Sequence, residues 1–210
     1  MHTNQPGSHP SAAGMTTIAL VRHGQTDGNL QHRWQGSNDA PLNARGRSQA
    51  QYAADTLSNN AWTRIITSPP QRARQTATIV AHTLSLPPPA EHPGLVEQHG
   101  GIAEGMVESE IRNRWPSEAD IPGVEPRTHV RRRGAKALRD LAAHYQYESF
   151  IVVAHGTLIR LAAAELTGAQ TLPLLPNGHF LLLSTTSGNW TAVTTPNTMQ
   201  RKTTGPNSLS

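Results

Sequence analysis

The chain has 210 residues, enough for one domain with a substantial core, and no cysteine, which excludes disulfides, thiolate metal sites and cysteine nucleophiles. Hydrophobic residues make up 36%, and 17 glycines and 16 prolines predict a core confined to a few apolar runs between turns and loops. The net charge of +4 comes almost entirely from arginine, since only Lys136 and Lys202 are lysines among the 18 basic residues. Because arginine forms planar bidentate contacts with phosphate and carboxylate, this charge favours a small anionic ligand at least as much as nucleic acid.

The first 14 residues are polar and lack the basic start and apolar core of a signal peptide, so we predict a disordered N-terminal extension over 1–14. No apolar stretch approaches the roughly 18 residues of a membrane span, and we expect a cytoplasmic protein without a membrane partner. A catalytic domain is predicted over 15–195, followed by a polar, frayed tail over 196–210.

Apolar runs and helical spacings alternate along the predicted domain. Residues 93–105 and 116–126 are expected to be mostly loop. Strands that alternate with helices predict an α/β fold, a three-layer α/β/α sandwich with a mainly parallel central sheet. The predicted strands are 17–21, 64–67, 150–154, 179–184 and 190–194, and the predicted helices are 45–58, 72–84, 107–115, 128–145 and 158–166.

Polar side chains follow three of the predicted strands. Arg22 and His23 follow the first strand, Ser68 and then Arg72 follow the second, and His155 follows the third of them. Ligands of parallel sheets bind outside the carboxyl ends of the strands, so these side chains meet in one crevice if the three strands are neighbours. A phosphoryl group there would contact two guanidiniums and two imidazoles. Each residue alone is more typical of a surface position, but their joint occurrence indicates a phosphate site.

Two glycines and a threonine accompany these strand ends. Gly24 and Gly156 would let the backbone approach the ligand closely, and the helix after His155 can direct free N–H groups at an anion. We expect Thr157 to cap that helix. If the His23 imidazole acts as a nucleophile, its reacting nitrogen must be unprotonated, and a backbone carbonyl near the Gly24 turn is the expected hydrogen-bond partner of its other nitrogen.

An alternative anionic ligand, nucleic acid, depends on the cluster Arg131-Arg132-Arg133 near the start of a predicted helix. No aromatic residues are interleaved with this cluster. We therefore interpret it as a solvated helix face and expect no nucleic-acid partner.

The motifs taken together resemble the histidine phosphatase superfamily, in its phosphoglycerate mutase-like branch with the Arg-His-Gly motif. The signature is matched by Arg-His-Gly-Gln-Thr at 22–26, with Asn29 in the corresponding downstream position. The matches run in family order over most of the chain, so the set is specific although each match alone is weak. The other matches are Gln35-Gly36, 39–50, the arginine motif 68–77, the stretch 95–105 and Ala154-His155-Gly156.

The resemblance implies a role for each residue of the crevice. His23 is the nucleophile and becomes phosphohistidine. Arg22, Arg72 and His155 hold and neutralise the transferred phosphoryl group, in agreement with a reaction that depends mainly on positioning and electrostatic stabilisation. The complete set of implied phosphate- or substrate-binding residues is Arg22, Asn29, Gln35, Gly36, Arg72, Glu97, His155, Gly156 and Thr157.

The resemblance also implies that Glu97 is the proton donor. Glu104 lies in the same loop and is the alternative, although the spacing of Glu97 fits the family stretch better. A glutamic acid that must start protonated predicts an optimum on the acid side of neutrality.

Hydrolysis of a phosphomonoester on a small phosphorylated metabolite, without a cofactor, is the main expectation. A mutase must retain a bisphosphate and exclude water, usually under a substantial lid between the acid residue and the second histidine. The resemblance implies a longer segment for mutases than the one between Glu97 and His155 here. Ser37 also replaces the aromatic residue that mutases usually carry after the glycine. A cofactor-dependent phosphoglycerate mutase, which would need 2,3-bisphosphoglycerate, is the second hypothesis. A non-catalytic phosphate-binding protein on the same fold is the third.

No metal is predicted, because no histidine pair at ligand spacing and no carboxylate cluster surrounds His23 or His155. A homodimer is left open. The sequence also leaves open whether four residues of the variable region contact the substrate or lie on the surface: Arg112, Arg114, Glu125 and Arg127.

Overall fold

The computed structural model describes residues 14–194. The predicted N-terminal extension, apart from Gly14, lies outside the described residues, and so does the predicted tail over 196–210. None of the helices within 14–194 combines the length and the apolar character that a bilayer span requires.

A six-stranded mixed sheet forms the centre of the molecule. The strands are β1 (Thr16–Arg22), β2 (Ile65–Thr67), β3 (Ala90–Glu91), β4 (Ser149–Ala154), β5 (Phe180–Thr186) and β6 (Asn189–Thr194). Their order in the sheet is β3-β2-β4-β1-β5-β6; the first four strands in this order are parallel, and β5 and β6 are antiparallel to their neighbours. The predicted mainly parallel sheet is thereby confirmed, with one short strand, β3, that the sequence pattern did not predict.

Helices cover both faces of the sheet. The predicted helices are present, and a four-residue helix, α1, is added after the His23 corner, where Thr26 caps the helix and accepts a hydrogen bond from the Asn29 amide. The regions 93–105 and 116–126 are mostly irregular, as predicted, with two short 3₁₀ turns in the first and one in the second. The α-helices are α1 (Asp27–Leu30), α2 (Ala44–Leu57), α3 (Gln71–Thr83), α4 (Glu108–Arg114), α5 (Arg127–His144) and α6 (Gly156–Thr167).

Successive side chains of β1 point to opposite faces of the sheet, which explains the three-layer arrangement of helices, sheet and helices. Ile18 and Leu20 belong to the core cluster shared with α5 and α6, whereas Ala19 and Val21 belong to the cluster shared with α2 and α3. All four are essentially inaccessible to solvent. A strand that is apolar on both faces must be covered on both faces, and burial of each large aliphatic side chain stabilises the fold by about 1.5–3 kcal/mol.

The three strands that end in polar residues are adjacent in the sheet, with β4 between β1 and β2, as the crevice requires. In the register of the sheet, Arg22 at the end of β1 pairs with Ala154 at the end of β4, and Thr67 at the end of β2 pairs with Val153. The hydrogen bonds continue one residue further, from the His23 amide to the Ala154 carbonyl (3.0 Å). The sheet therefore brings the residues after β1, β2 and β4 to one edge.

The interpretation of Arg131-Arg132-Arg133 as a solvated helix face is wrong for two of the three residues. Arg131 forms an ion pair with Glu165 of α6 (2.6 Å), and Arg133 forms one with Glu125 (2.7 Å). Only Arg132 is exposed. Arg131 and Arg133 thus pair with carboxylates of neighbouring segments, although 37% of the Arg131 side chain stays exposed to solvent.

Candidate active site

A cleft of about 410 Å³ opens at the carboxyl edge of β1, β4 and β2. His155 does not line the cleft, but its ring packs edge to face against the ring of His23. Nine of the ten residues predicted for the site line the cleft: Arg22, His23, Asn29, Gln35, Gly36, Arg72, Glu97, Gly156 and Thr157.

His23 is 3% exposed, and its ring nitrogens have different surroundings. Nδ1 lies 2.7 Å from the Gly24 carbonyl oxygen, the partner expected from the sequence. A carbonyl can only accept, so in the neutral ring Nδ1 carries the proton and Nε2 keeps its lone pair. Burial, and then the positive charge of Arg72, lower the pKa of His23 well below its usual value. His23 is therefore neutral at physiological pH, the state that a nucleophile needs.

The role expected for Gly24, a close approach to ligand, is wrong. A Cβ on Gly24 would lie 2.2 Å from the Gly46 carbonyl oxygen, so the glycine allows contact with the first turn of α2 instead. The Gly24 amide donates to the Thr76 hydroxyl (3.0 Å), and that hydroxyl donates to the Arg72 carbonyl (2.8 Å). The corner that holds His23 is thus fixed against α2 and α3.

Arg22 lies at the end of β1 with its guanidinium half-buried. Its Nη1 donates to the Leu175 carbonyl (2.6 Å), which orients the group from the side opposite the sheet. Gly156 lies against it, since a Cβ there would come within 3.2 Å of Arg22 Cζ.

Arg72, in the first turn of α3, is 1% exposed. Its Nη2 donates to the Gly36 carbonyl (2.9 Å), and its Nη1 donates to the Asn38 carbonyl. Gly36 adopts a φ of +50°, and a Cβ there would overlap the Glu104 carboxylate, so only glycine fits this turn. The loop after Trp34 therefore holds the Arg72 guanidinium in place.

His155 is fully buried as the N-cap residue of α6. Its Nε2 lies 2.8 Å from the Ser68 hydroxyl, and its ring meets the His23 ring edge to face, with centroids 5.1 Å apart. With the Ser68 hydroxyl donating to Nε2, Nδ1 carries the proton. Burial first, then Arg72, lowers the pKa of His155 well below its usual value.

Three buried nitrogens of this cluster have no hydrogen-bond partner within the described part of the chain: Arg22 Nε, Arg72 Nε and His155 Nδ1. Buried polar groups in proteins are normally paired, so each such nitrogen requires an explanation. All three belong to residues that the sequence analysis assigned to phosphate, and an oxyanion would supply their missing acceptors.

Glu97 lies between this cluster and α6. Its Oε1 accepts from the Leu158 amide (3.1 Å) and from its neighbour Gln98 (2.9 Å), and its Oε2 accepts from the Thr157 amide (3.2 Å). The N–H groups expected to face an anion thus face this carboxylate. Thr157 is not the cap, which corrects the prediction: α6 begins at Gly156, two residues earlier than predicted, so Thr157 lies inside the first turn.

Glu104, the alternative acid, does not line the cleft. Its carboxylate accepts hydrogen bonds from the Ser37 amide (3.0 Å), the Ser37 hydroxyl (2.7 Å) and the Gly100 amide (2.8 Å). Burial acts to raise the pKa of Glu104, but these hydrogen bonds outweigh it and the pKa is lowered. Glu104 therefore stays ionised and ties the loop together rather than donating a proton.

A small amide network supports the His23 corner from the solvent side. The buried Thr26 hydroxyl donates to Gln35 Oε1 (2.8 Å), and Asn29 Oδ1 accepts from the Thr26 amide (3.1 Å). Asn177 Nδ2 donates to the His23 carbonyl (3.0 Å) and to Asn29 Oδ1 (3.3 Å). Asn177 was missed because it lies in an irregular segment before β5 that carries no recognisable motif.

The four residues left open by the sequence fall into two pairs. Arg112 and Arg127 line the outer cleft, each beside a carboxylate: Glu108 at 3.5 Å for Arg112, and Glu118 in a bidentate pair for Arg127. The other two do not line it: Arg114 lies over the Trp115 ring, 4.8 Å from its centroid, and Glu125 pairs with Arg133. Within residues 14–194 no group of three or more His, Asp or Glu side chains is arranged to hold a metal ion.

The cleft and the sheet define a phosphate-handling α/β enzyme, and comparison with known proteins gives its family. Residues 18–198 match the family model of the histidine phosphatase superfamily, branch 1. The chain therefore belongs to this superfamily, as its motifs predicted.

Similar proteins and solved structures support this family assignment. The chain is 37% identical over 156 residues to the uncharacterized phosphatase PhoE of Bacillus subtilis, covering 74% of this chain and 80% of the relative. It is 30% identical over 188 residues to the metal-independent phosphoserine phosphatase of Arabidopsis thaliana, covering 84% and 79%. The solved mycobacterial glucosyl-3-phosphoglycerate phosphatase, in complex with VO3, superimposes with a TM-score of 0.77 at 28% identity, covering 87% and 98%. As predicted, the chain is a phosphoric monoester hydrolase of this superfamily.

Proposed function

We propose that this protein hydrolyses small phosphomonoesters through a phosphohistidine intermediate on His23, without a metal or a cofactor. The observation that carries the proposal is the set of unpartnered buried nitrogens, Arg22 Nε, Arg72 Nε and His155 Nδ1, next to an imidazole whose tautomer leaves Nε2 free. Phosphoryl transfer needs in-line positioning and fixed positive charge more than covalent help from the protein.

In the first step, His23 Nε2 attacks phosphorus and the ester P–O bond breaks. Arg22 and Arg72 neutralise the equatorial oxygens, and the His155 N–H donates to one of them. Glu97 gives its proton to the departing alkoxide, so the alcohol leaves neutral. The products of this step are the free alcohol, phosphohistidine and the Glu97 carboxylate.

In the second step, water attacks the phosphorus of phosphohistidine. Glu97 takes a proton from that water, the N–P bond breaks, and orthophosphate leaves with His23 neutral again. The covalent intermediate thus divides one difficult displacement into two easier ones.

Phosphohistidine trapping tests the nucleophile. Acid-labile, alkali-stable label from radioactive substrate is expected on the native protein and not on His23→Asn. His129→Asn is the matched control because this histidine is exposed on α5 and does not line the cleft. Turnover by His23→Asn at the native rate would refute the proposal, and full activity after chelation of metal ions is expected.

The outer cleft indicates the kind of leaving group. Trp34, Ile111 and Trp115 give it an apolar wall. Among residues 14–194, the Arg33 guanidinium donates to neutral partners, the Gln31 side chain (2.9 Å) and the Gly105 carbonyl (2.7 Å). The named relatives act on phosphoserine and on glucosyl-3-phosphoglycerate, whose leaving groups carry a carboxylate. We propose substrates of this chemistry, an alcohol that also carries an anionic group. In a phosphate-release screen, Arg33→Gln should raise KM for such esters and leave neutral alkyl phosphates unchanged.

The mutase hypothesis has a direct test. A mutase would convert 3-phosphoglycerate to 2-phosphoglycerate only when 2,3-bisphosphoglycerate is present, whereas we expect phosphate release without it. A cytoplasmic location is part of this proposal, and a homodimer stays open.

A further inference from the structure

We infer that Arg133 is a positioning residue for Glu97, an inference that rests on the proposed function. Arg133 lies on α5, outside the cleft lining, and no motif assigns it a role. Its guanidinium nevertheless donates three hydrogen bonds to the backbone of residues 94–97, the segment that carries the proposed proton donor.

The donor groups of Arg133 converge on the backbone around Glu97. Nη1 donates to the Val96 carbonyl (2.7 Å) and the Gly94 carbonyl (3.3 Å), and Nη2 donates to the Glu97 carbonyl (2.9 Å). Residues 96–99 are irregular, so no helix or strand ladder fixes the backbone around Glu97. The rigid, planar guanidinium of Arg133 thus fixes the orientation of three backbone carbonyls around Val96.

The guanidinium is itself fixed by Glu125. Its Nε lies 2.7 Å from Glu125 Oε1, and its Nη2 lies 2.9 Å from Oε2, a bidentate pair in which both side chains are largely buried. The same carboxylate accepts from the His99 amide (3.3 Å), two residues after Glu97. Burial acts to raise the pKa of Glu125, but its bonds to Arg133 outweigh burial and lower the pKa.

Gln98 extends this network to the cleft wall. The backbone N–H of Gln98 donates to the Glu97 carboxylate. Its side-chain Nε2 donates to the Glu125 backbone carbonyl (2.8 Å) and to Glu118 Oε1 (2.7 Å). Glu118 in turn pairs with Arg127 at the rim of the cleft. The Arg133–Glu125 pair is therefore the internal end of a network that runs past the proton donor to the substrate wall.

If Arg133 acts through Glu97, its loss must reduce proton donation more than phosphate binding. The comparison is between an alkyl phosphate, which needs the acid, and 4-nitrophenyl phosphate, which leaves as a stabilised phenolate. A misplacement of about 1 Å costs on the order of 10²-fold in rate. For Arg133→Gln we expect the alkyl-to-aryl ratio of kcat/KM to fall about 10- to 100-fold. Inhibition by inorganic phosphate should change little, because Arg22 and Arg72 are untouched.

Three variants separate positioning from a general structural effect. Arg133→Lys should recover part of the ratio, since it keeps the charge but not the bidentate geometry. Glu125→Gln should lower the ratio in the same direction and carries the test if Arg133→Gln does not fold. Arg132→Gln, the exposed neighbour on α5, should have the native ratio.

The double variant Glu97→Gln with Arg133→Gln gives the decisive outcome. Once Glu97 cannot donate a proton, loss of Arg133 should change the ratio no further. Equal losses of alkyl and aryl activity in Arg133→Gln, or independent effects in the double variant, would overturn the inference. A native ratio in Glu97→Gln alone would instead refute the acid role in the proposed function, so the two failures are distinguishable.

Discussion

Replacement of Arg72 by glutamine should remove most of the activity and part of the stability. Arg72 is 1% exposed and lines the cleft, and its buried Nε has no hydrogen-bond partner among residues 14–194. Loss of one such preorganised donor costs on the order of 10²–10³ in rate, or about 2.7–4 kcal/mol of transition-state stabilisation. The carbonyls of Gly36 and Asn38 lose their donors as well. Gly36 is buried, so its unpaired carbonyl costs about 1–3 kcal/mol of unfolding free energy, whereas the exposed Asn38 can bind water instead.

The assay measures kcat/KM with 4-nitrophenyl phosphate, inhibition by vanadate and urea unfolding. Vanadate affinity and kcat/KM should fall by similar factors, because both report complementarity to the transferring phosphoryl group. Arg74→Gln is the control: Arg74 lies on the same helix, 45% exposed, with only distant ion pairs to Asp39 (3.9 Å) and Glu91 (3.6 Å). A kcat/KM for Arg72→Gln within about threefold of native would refute the electrostatic role, since that is less than 1 kcal/mol.

The pH profile of the same variant adds an independent check. His23 must be unprotonated to attack, and Arg72 is the second-largest cause, after burial, of its lowered pKa. Removal of that positive charge raises the pKa of His23 toward its usual value, so the acid limb of kcat/KM should move to higher pH in Arg72→Gln. Arg72→Lys keeps the charge and should leave the limb in place. A limb that moves equally in both variants would contradict this reasoning.

Three further outcomes follow from the site. Gly24→Ala places a Cβ against the Gly46 carbonyl and should lower the unfolding free energy by about 1–3 kcal/mol in urea; unchanged stability would show that α2 shifts freely. Ser68→Ala removes the hydroxyl partner of His155, so stability should fall by about 0.5–1.5 kcal/mol and kcat should drop without a matching rise in KM. The pKa values of His23 and His155 are lowered in the folded state, so below about pH 6.5 the unfolded chain binds more protons than the folded one. The unfolding free energy should therefore fall with decreasing pH there, by up to about 1.4 kcal/mol per pH unit for each histidine. A His23→Asn variant with the native slope would contradict that assignment.

The elements that sequence patterns predicted well are those with strong, local signals. The apolar runs of β1 and β4 and the helical spacing of α2 identified the sheet and its covering layers, and the polar residues after the strands identified the crevice. β3 was missed because a two-residue strand carries almost no periodicity. α1 was missed because four residues after a functional corner read as loop, although Thr26 and Asn29 form its cap.

The errors share a physical cause, which is that the contacts of these residues come from segments distant in the sequence. Arg133 looks solvated in sequence, and only the fold brings the carbonyls near Glu97 to it. Gly24 looks like a ligand contact, and only the fold places Gly46 against it. Asn177 carries no local signal at all, since its partner is the backbone of a residue at the other end of the chain.

The position of β4 between β1 and β2 has a consequence for how activity is acquired. In the sheet, β1 and β2 share no hydrogen bonds with each other and are joined only through β4, which is made much later in the chain. A nascent chain that ends before β4 therefore has both arginines but no framework to bring them together. Because this pairing is non-local, it is also the slow kind of contact in folding. Recovery of turnover after denaturation thus requires insertion of β4 between β1 and β2, and a chain cut between α4 and α5 should become active only when its two pieces associate.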